Sequence, residues 1–334
     1  MKVLITDMRH SSCIEEKRVL SAEGIEVDTT FSANEEELIR NGKGAFAFLV
    51  SYAKITRPVM EALPQLKVII KYGIGVDNID LKAATDLGKL VVNIPDYCTE
   101  EVALHALALI LDGVRMTPHF TNMVRSGGWE IDPEPFLPYR LSRQLLGLLG
   151  FGRIARRLAF FMELMVKGIL FYDPYLADKD LPSGKLMRAS SAEEVFASSA
   201  VVSVHLPLNE ETRDFVRARH FKQKNGIILV NTSRGGTIHK GDLLEALKSG
   251  QVAFFGSDVF FQEPPDRSDP ISLAILNHPH SYITPHVAWC SAESATEVRR
   301  SAAEEALRVA RGILPRNVVN KDVMAKLNED YRKM

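Results

Sequence analysis

The chain is short of cysteine. It has three in 334 residues, Cys13, Cys98 and Cys290, far apart and without a CxxC spacing. That excludes a disulfide framework and a zinc knuckle, and it fits a reducing compartment. Neither sign of charge is in excess. With 41 Lys and Arg against 42 Asp and Glu, the net charge of −1 offers no attraction for nucleic acid or an anionic membrane. Long apolar runs are missing too. None reaches the roughly 18 residues that span a bilayer, and the opening Met1-Lys-Val-Leu-Ile-Thr-Asp7 holds too short an apolar stretch for a secretory signal. Internal repeats and low-complexity segments are absent. What remains, 46% hydrophobic and 25% charged, is the composition of a globular protein. The length asks for two domains, and the cytoplasm is the expected location.

One stretch organises the rest. Leu145 to Leu149 is an apolar run that reads as a strand buried on both faces. Gly150-Phe-Gly152-Arg-Ile-Ala155 follows. Gly150 permits a tight turn, Gly152 leaves room for a pyrophosphate against the backbone, and Ala155 lets the next helix lie close on the strand. That helix, over Arg153 to Leu164, aims its N-terminal N–H groups and dipole at the phosphates. About 20 residues on, a second apolar run ends in Asp173, placed to accept the hydroxyls of an adenosine ribose and to repel a 2′-phosphate. The stretch therefore reads as a dinucleotide site preferring NAD over NADP. A glycine turn that binds nothing would not need the strand, the helix and the distant acid together.

Short apolar strands alternate with helices along the whole chain. Strands are predicted at 2–6, 25–30, 46–50, 68–72 and 90–93, with helices at 14–22, 34–40 and 57–62, which makes a small domain with a parallel sheet. Glu100 to Arg115 is apolar nearly all round, and a helix of that kind is expected to be buried. It reads as a connector into a second domain, with His105 a packed helix residue rather than a ligand. Gly127 to Arg143, holding Pro133, Pro135 and Pro138, reads as a surface loop. Further strands at 201–205, 226–231, 253–258 and 282–284 complete a larger doubly wound sheet. The amphipathic helix predicted at 293–312 returns to the first domain. The domains expected are thus 1–98 plus 291–334, and 99–290.

Three polar segments lie just past strand ends in the second domain, at the edge where open α/β sheets bind ligands. They are Asn231-Thr-Ser-Arg-Gly-Gly236, Asp258-Val-Phe-Phe-Gln-Glu-Pro264 and Thr284-Pro-His286. Arg234 offers a planar fork for a carboxylate. His286 can move a proton near neutral pH, and Glu263 beside it would fix its tautomer. Singly, Arg234 could be a loop cation, Glu263 a surface or helix-capping acid and His286 a structural histidine. Their joint placement downstream of a dinucleotide turn is the equipment for moving a hydride and a proton at an alcohol carbon.

These motifs, together with Lys71-Tyr-Gly-Ile-Gly-Val-Asp-Asn-Ile-Asp80, Tyr172-Asp-Pro174 and His205-Leu-Pro207, resemble the D-isomer-specific 2-hydroxyacid dehydrogenase family over essentially the whole chain. Tyr97-Cys-Thr-Glu-Glu-Val102 and Thr284-Pro-His-Val-Ala-Trp289 are most similar to the branch holding the C-terminal-binding-protein corepressors and their bacterial relatives. The resemblance implies a Rossmann cofactor domain plus a flavodoxin-like substrate domain, each a doubly wound parallel sheet. It implies NAD as cofactor, a 2-oxo or D-2-hydroxy acid as substrate, no metal, a homodimer through the cofactor domains, and closure about hinges near 97–99 and 286–291. Arg234, Glu263 and His286 would be catalytic. Gly150, Gly152, Arg153, Ile154, Asp173, His205, Pro207, Thr212, Thr232, Ser233, Asp258 and His286 would hold the cofactor. Lys71, Ile74, Gly75, Arg234 and Trp289 would bind substrate.

Departures from the family pattern remove none of these groups. Lys71 stands where Arg is frequent, Ala155 replaces a glycine, Phe261-Gln262 precedes Glu263, and Thr237 to Asp242 is unusual. Two alternatives stay open: an NADH-responsive corepressor-like binding protein with incidental turnover, and oxidation of a small acid such as formate or phosphite.

Overall fold

A computed structural model describes residues 1–7, 12–31, 34–129, 139–177 and 185–327. The chain divides into two compact units, Met1–Cys98 with Cys290–Met334, and Thr99–Trp289. The first unit opens with β1 (Lys2–Ile5), α1 (Ile14–Leu20), β2 (Glu26–Thr29), α2 (Glu35–Gly42), β3 (Ala45–Val50), α3 (Arg57–Glu61), β4 (Val68–Lys71), α4 (Leu81–Asp86) and β5 (Leu90–Val92). Its strands are all parallel, in the order β2-β1-β3-β4-β5. Every residue of β3 is buried, as expected of a central strand covered on both faces. The Asn34 side chain accepts the Glu37 N–H at 2.8 Å and starts α2, and three glutamates follow at the positive end of the helix.

The strand order reverses between β1 and β3, so their carboxyl ends flank the crevice of this sheet. Asp7 fills it. Its Oδ1 accepts the Ser51 N–H at 2.9 Å, and its Oδ2 accepts the N–H groups of Tyr52 and, at 3.0 Å, Ala53. The Thr6 hydroxyl donates to Oδ1 at 2.8 Å.

The second unit holds α5 (Thr99–Arg115), α6 (Thr117–Arg125), β6 (Leu145–Leu149), α7 (Arg153–Met162), β7 (Gly168–Tyr172), β8 (Leu186–Arg188), α8 (Ala192–Ser198) and β9 (Val201–Val204). It continues with α9 (Ala218–Phe221), β10 (Ile227–Asn231), α10 (Lys240–Lys248), β11 (Val252–Ser257), α11 (Pro270–Leu276) and β12 (Ser281–Ile283). Its strands too are all parallel, in the order β12-β11-β10-β9-β6-β7-β8. One apolar layer joins α5 and α7 to the sheet, and a second packs α8, α10 and α11 on the other face. The order reverses between β6 and β9, the strands that precede Gly150 and His205.

Helix α5 is docked by missing atoms. A Cβ on Gly113 would fall 2.6 Å from Phe254 Cδ1 and 2.7 Å from Ile228 Cγ2, and one on Gly256 would fall 3.1 Å from Leu109 Cβ. Helix and strand β11 therefore touch at 113 with 254 and at 109 with 256, running antiparallel. Four helical residues rise about 6.0 Å and two strand residues about 6.6 Å, so the two elements keep step. The next pair in this register is His105 and Asp258.

The returning segment belongs to the first unit. Helix α12 (Ala292–Ala310) is tied to α1 by Arg299, whose Nη2 lies 2.8 Å from Glu16 Oε2. The Tyr72 hydroxyl donates to the other Glu16 oxygen at 2.8 Å, so this buried carboxylate is fully partnered. Beyond it, Asn320 Oδ1 accepts the Val91 N–H at 2.9 Å and seals the β5 edge.

Three elements, α4, α6 and β8, escape the sequence reading. Helix α5 is also less buried than expected, with Glu100, Leu104 and Ala108 forming an exposed stripe. The proline-rich loop lies largely outside the described residues. Among the described residues no helix is long and apolar enough to cross a membrane, and no three His, Cys, Asp or Glu are grouped to hold a metal ion.

Candidate active site

Six strand ends of the second unit build the site. After β10, the Asn231 side chain folds the chain back on itself. Its Oδ1 accepts the N–H and hydroxyl of Ser233 at 2.9 and 2.8 Å, and its Nδ2 donates to Arg234 O at 3.0 Å. This turn presents Arg234, whose Nη1 donates to Ser233 O at 2.8 Å. Gly235 then presses on the loop after β11. A Cβ there would lie 2.2 Å from the Phe260 carbonyl carbon, so only glycine allows the two loops to meet.

That second loop carries Glu263. Its Oε1 accepts the Phe260 N–H at 2.9 Å, and its Oε2 lies 2.5 Å from His286 Nδ1. Burial alone would raise the Glu263 pKa. The hydrogen bond and charge of His286 outweigh it, with smaller help from the Phe260 N–H and the charge of Arg234, and hold the carboxyl below its ordinary 4.5. The three expected catalytic side chains thus share one electrostatic neighbourhood.

His286 stands in the left-handed region at φ 55, a conformation that costs a non-glycine residue about 1–3 kcal/mol. Asp258 holds it there. The Asp258 carbonyl accepts the His286 N–H at 2.9 Å. Its buried carboxylate accepts the Val287 N–H at 2.9 Å and the Ala288 N–H at 2.7 Å. The Thr284 hydroxyl donates to the same carboxylate at 2.6 Å, and its oxygen lies 2.9 Å from His105 Nε2. Asp258, expected to contact a cofactor, is engaged with its own loop. Trp289 closes this segment, half-buried.

The crevice between β6 and β9 carries the glycine turn. Gly150 has φ 84, and a Cβ on it would fall 2.7 Å from His205 O, so the two strand ends approach as closely as glycine permits. A Cβ on Gly152 would meet nothing within 4 Å. Gly152 caps α7, whose first-turn N–H groups, those of Arg153 and Ile154, face out of the helix end. Asp173 Oδ2 accepts the Phe151 N–H at 2.9 Å and Oδ1 the Tyr175 N–H at 3.0 Å, bracing the turn. Beside it is a cavity of about 420 Å³ lined by Tyr172, Asp173, Pro174, Arg188, Ala189 and Ser190.

His205 is pushed down to a pKa of about 4 by burial, and its Nε2 pairs with Ser203 Oγ at 2.9 Å. Thr212 Oγ1 donates to Pro207 O at 2.5 Å and accepts the Asn209 N–H at 2.9 Å, fixing the 207–212 turn. Thr232 Oγ1 is buried without a partner. A buried hydroxyl without a partner, an open glycine and an adjoining cavity fit a dinucleotide that supplies the missing contacts.

In the first unit, Lys71 ends β4. Its Nζ donates to Ser51 O and, at 2.9 Å, to Asn78 Oδ1, and it lies 5.7 Å from the centre of the Tyr52 ring. The Ile74 carbonyl accepts the Asn93 Nδ2 at 2.7 Å, and Ile74 and Gly75 are half-buried.

Residues 107–288 match the model of the D-isomer-specific 2-hydroxyacid dehydrogenase NAD-binding domain. The chain belongs to that family. The matched stretch lies within the second unit, which holds the family's NAD-binding domain. The chain is 34% identical to D-3-phosphoglycerate dehydrogenase of Archaeoglobus fulgidus over 96% of its own length and 59% of the relative's. It therefore spans about three-fifths of that curated relative. It is 34% identical to glyoxylate reductase of Korarchaeum cryptofilum, over 81% of each chain. Among solved structures it is similar to D-lactate dehydrogenase of Aquifex aeolicus, determined with NAD and lactic acid, with TM-score 0.82 and 27% identity over 93% of this chain and 96% of that one. These relatives are dehydrogenases and a reductase, and they give the corepressor-like alternative no support.

Sequence reasoning missed the organisers Asn231, Thr284 and Asp7. Asn231-Thr-Ser233 is a signal for a side-chain-capped turn and could have been read. Asp7 acts on residues 44 to 46 positions away, which no local pattern announces.

Proposed function

We propose that the chain is an NAD-dependent D-2-hydroxyacid dehydrogenase that interconverts a 2-oxo acid and a D-2-hydroxy acid. The observation that carries this is the His286–Glu263 pair at 2.5 Å with Arg234 in its field, in the same unit as the dinucleotide turn. Bound NADH supplies a hydride. Arg234 binds the substrate carboxylate and stabilises charge developing on the carbonyl oxygen. With Nδ1 turned to Glu263, His286 offers Nε2 as the proton donor to that oxygen, and Glu263 stabilises the imidazolium. In the reverse direction neutral His286 takes the hydroxyl proton. Thr232 Oγ1, Gly150, Gly152 and the first turn of α7 hold the dinucleotide, and Asp173 the adenosine ribose.

Family membership supports the first unit as the substrate domain, with the N–H groups of Ile74 and Gly75 toward the carboxylate and Lys71 and Trp289 nearby. It equally supports a homodimer through the second unit. The three scattered cysteines, none of them in a disulfide, support a cytoplasmic location.

The test is NADH oxidation with 2-oxo acids of small, branched, aromatic, phosphorylated and dicarboxylic side chains, with Arg234→Ala and His286→Ala as controls. Turnover of one class, lost in both variants, is the expected result. Silence across the panel with intact NADH binding overturns the assignment.

A further inference from the structure

We infer that His105, outside every role assigned above, is a positioning residue that sets the backbone carrying His286. The inference rests on the proposed dehydrogenase reading for its kinetic consequence, and on geometry alone for its structural one. A hydroxyl has one proton. Thr284 gives its proton to the acceptor-only carboxylate of Asp258, at 2.6 Å. Its contact with His105 Nε2 at 2.9 Å is therefore one in which His105 donates. This fixes the proton on Nε2, and the assignment holds whether the ring is neutral or charged. His105 Nε2 also lies 3.6 Å from Asp258 Oδ1, so its dipole faces the same carboxylate.

The line then runs on without a gap. Asp258 receives the N–H groups of Val287 and Ala288, and its carbonyl receives the N–H of His286. Five hydrogen bonds from two residues, Asp258 and His105, thus converge on the five-residue stretch from Thr284 to Ala288, one member of which is in the left-handed conformation. The far end of the line is anchored, because Gly113 and Gly256 dock α5 against β11 in a register that brings His105 over Asp258. Other arrangements would satisfy Asp258 with loop N–H groups alone. This one passes the restraint to a helix, so the His286 loop is referenced to α5 as well as to its own chain.

The experiment uses the full chain with His105→Ala, His105→Gln, Thr284→Val and the double variant His105→Ala/Thr284→Val. The first readout needs neither cofactor nor turnover. It is the downfield proton resonance of the His286 Nδ1–H, shared with Glu263. It is expected to shift or broaden in His105→Ala and to return in His105→Gln, whose amide keeps a donor at the Nε2 position. The second readout is kinetic. In His105→Ala, kcat falls by at least about tenfold, as misplacement of a reacting group predicts. NADH affinity by fluorescence and the melting temperature stay near wild type.

The double variant is expected to be no worse than Thr284→Val, since both act on one line. An unmoved resonance in His105→Ala, or losses that multiply within about twofold in the double variant, would overturn the inference. If the wild type turns over nothing, the dehydrogenase reading has failed. The resonance still decides whether His105 positions His286.

Discussion

The two units solve the same architectural problem in opposite ways. Each is a doubly wound parallel sheet, and each has one point where the strand order reverses and a crevice opens at the strand ends. In the second unit the crevice is kept open. Gly150 lets the turn lie against His205, Gly152 faces empty space, and the first turn of α7 points its N–H groups there. In the first unit the equivalent crevice is sealed. The N–H groups of Ser51, Tyr52 and Ala53 also converge on an anion, but that anion is the carboxylate of Asp7, supplied by the chain itself. A strand-end cluster of amides is thus a general anion receptor, and a single acidic residue decides whether the fold or a ligand occupies it.

Opening the sealed crevice has the largest expected effect. Asp7→Ala takes the acceptor from the N–H groups of Ser51, Tyr52 and Ala53, two of them in buried residues, and lowers global stability by about 3–5 kcal/mol, read by urea unfolding. Formate or acetate is expected to restore part of the loss where chloride at the same ionic strength does not. Equal recovery with all three salts would deny that the amides form an anion receptor.

Closing the open crevice comes next. Gly152 has φ −75, which any residue adopts, and open space around its Cβ, and it caps α7. Gly152→Asp therefore keeps or raises the melting temperature, because aspartate is a favoured cap. On the proposed reading the same carboxylate would meet the phosphates of the dinucleotide, and the NADH dissociation constant is expected to rise about 100-fold. A lower melting temperature with unchanged NADH affinity would show that the crevice is not where the dinucleotide lies.

The smallest effect separates the loops by charge. Beyond its crevice, the second unit carries the hydrogen-bonded Glu263–His286 pair. Glu263 titrates below its ordinary 4.5 in the folded chain. Its contribution to stability is then fully present above that value and is lost as pH falls through the lower native one. The difference in unfolding free energy between wild type and Glu263→Gln should close as pH falls below the ordinary 4.5. A difference that widens on acidification would mean that the pair does not hold the carboxyl down.

Much of this was legible from the residues. The central strands are continuous apolar runs, and the glycine turn, its helix and Asp173 announce themselves at fixed spacing. Asn34 was readable as a cap because capping is local. The losses have physical causes. Strand β8 is three residues long and mostly exposed on the sheet edge, so its Leu186-Met187 pair is too short a run to read as a strand. Helix α6 is nine residues long and buries none of them fully, so it leaves only a short, weakly apolar stripe to read. Arg234, Glu263 and His286 could be singled out because each follows a strand within a polar segment. His105 could not, because its partner Thr284 lies 179 residues away and an imidazole in an apolar helix looks like packing.

Gly113 and Gly256 give the second unit a rigidity that is written in no bond. Two side chains that are not there let a helix and a strand share a surface, and that surface acts as a ruler whose divisions are one helical turn against two strand residues. The residue choice available at these two positions is therefore nearly nil, although neither touches a ligand. Chemistry at this site can diversify through the loops that carry Arg234, Glu263 and Trp289, while the scale against which they are set stays fixed.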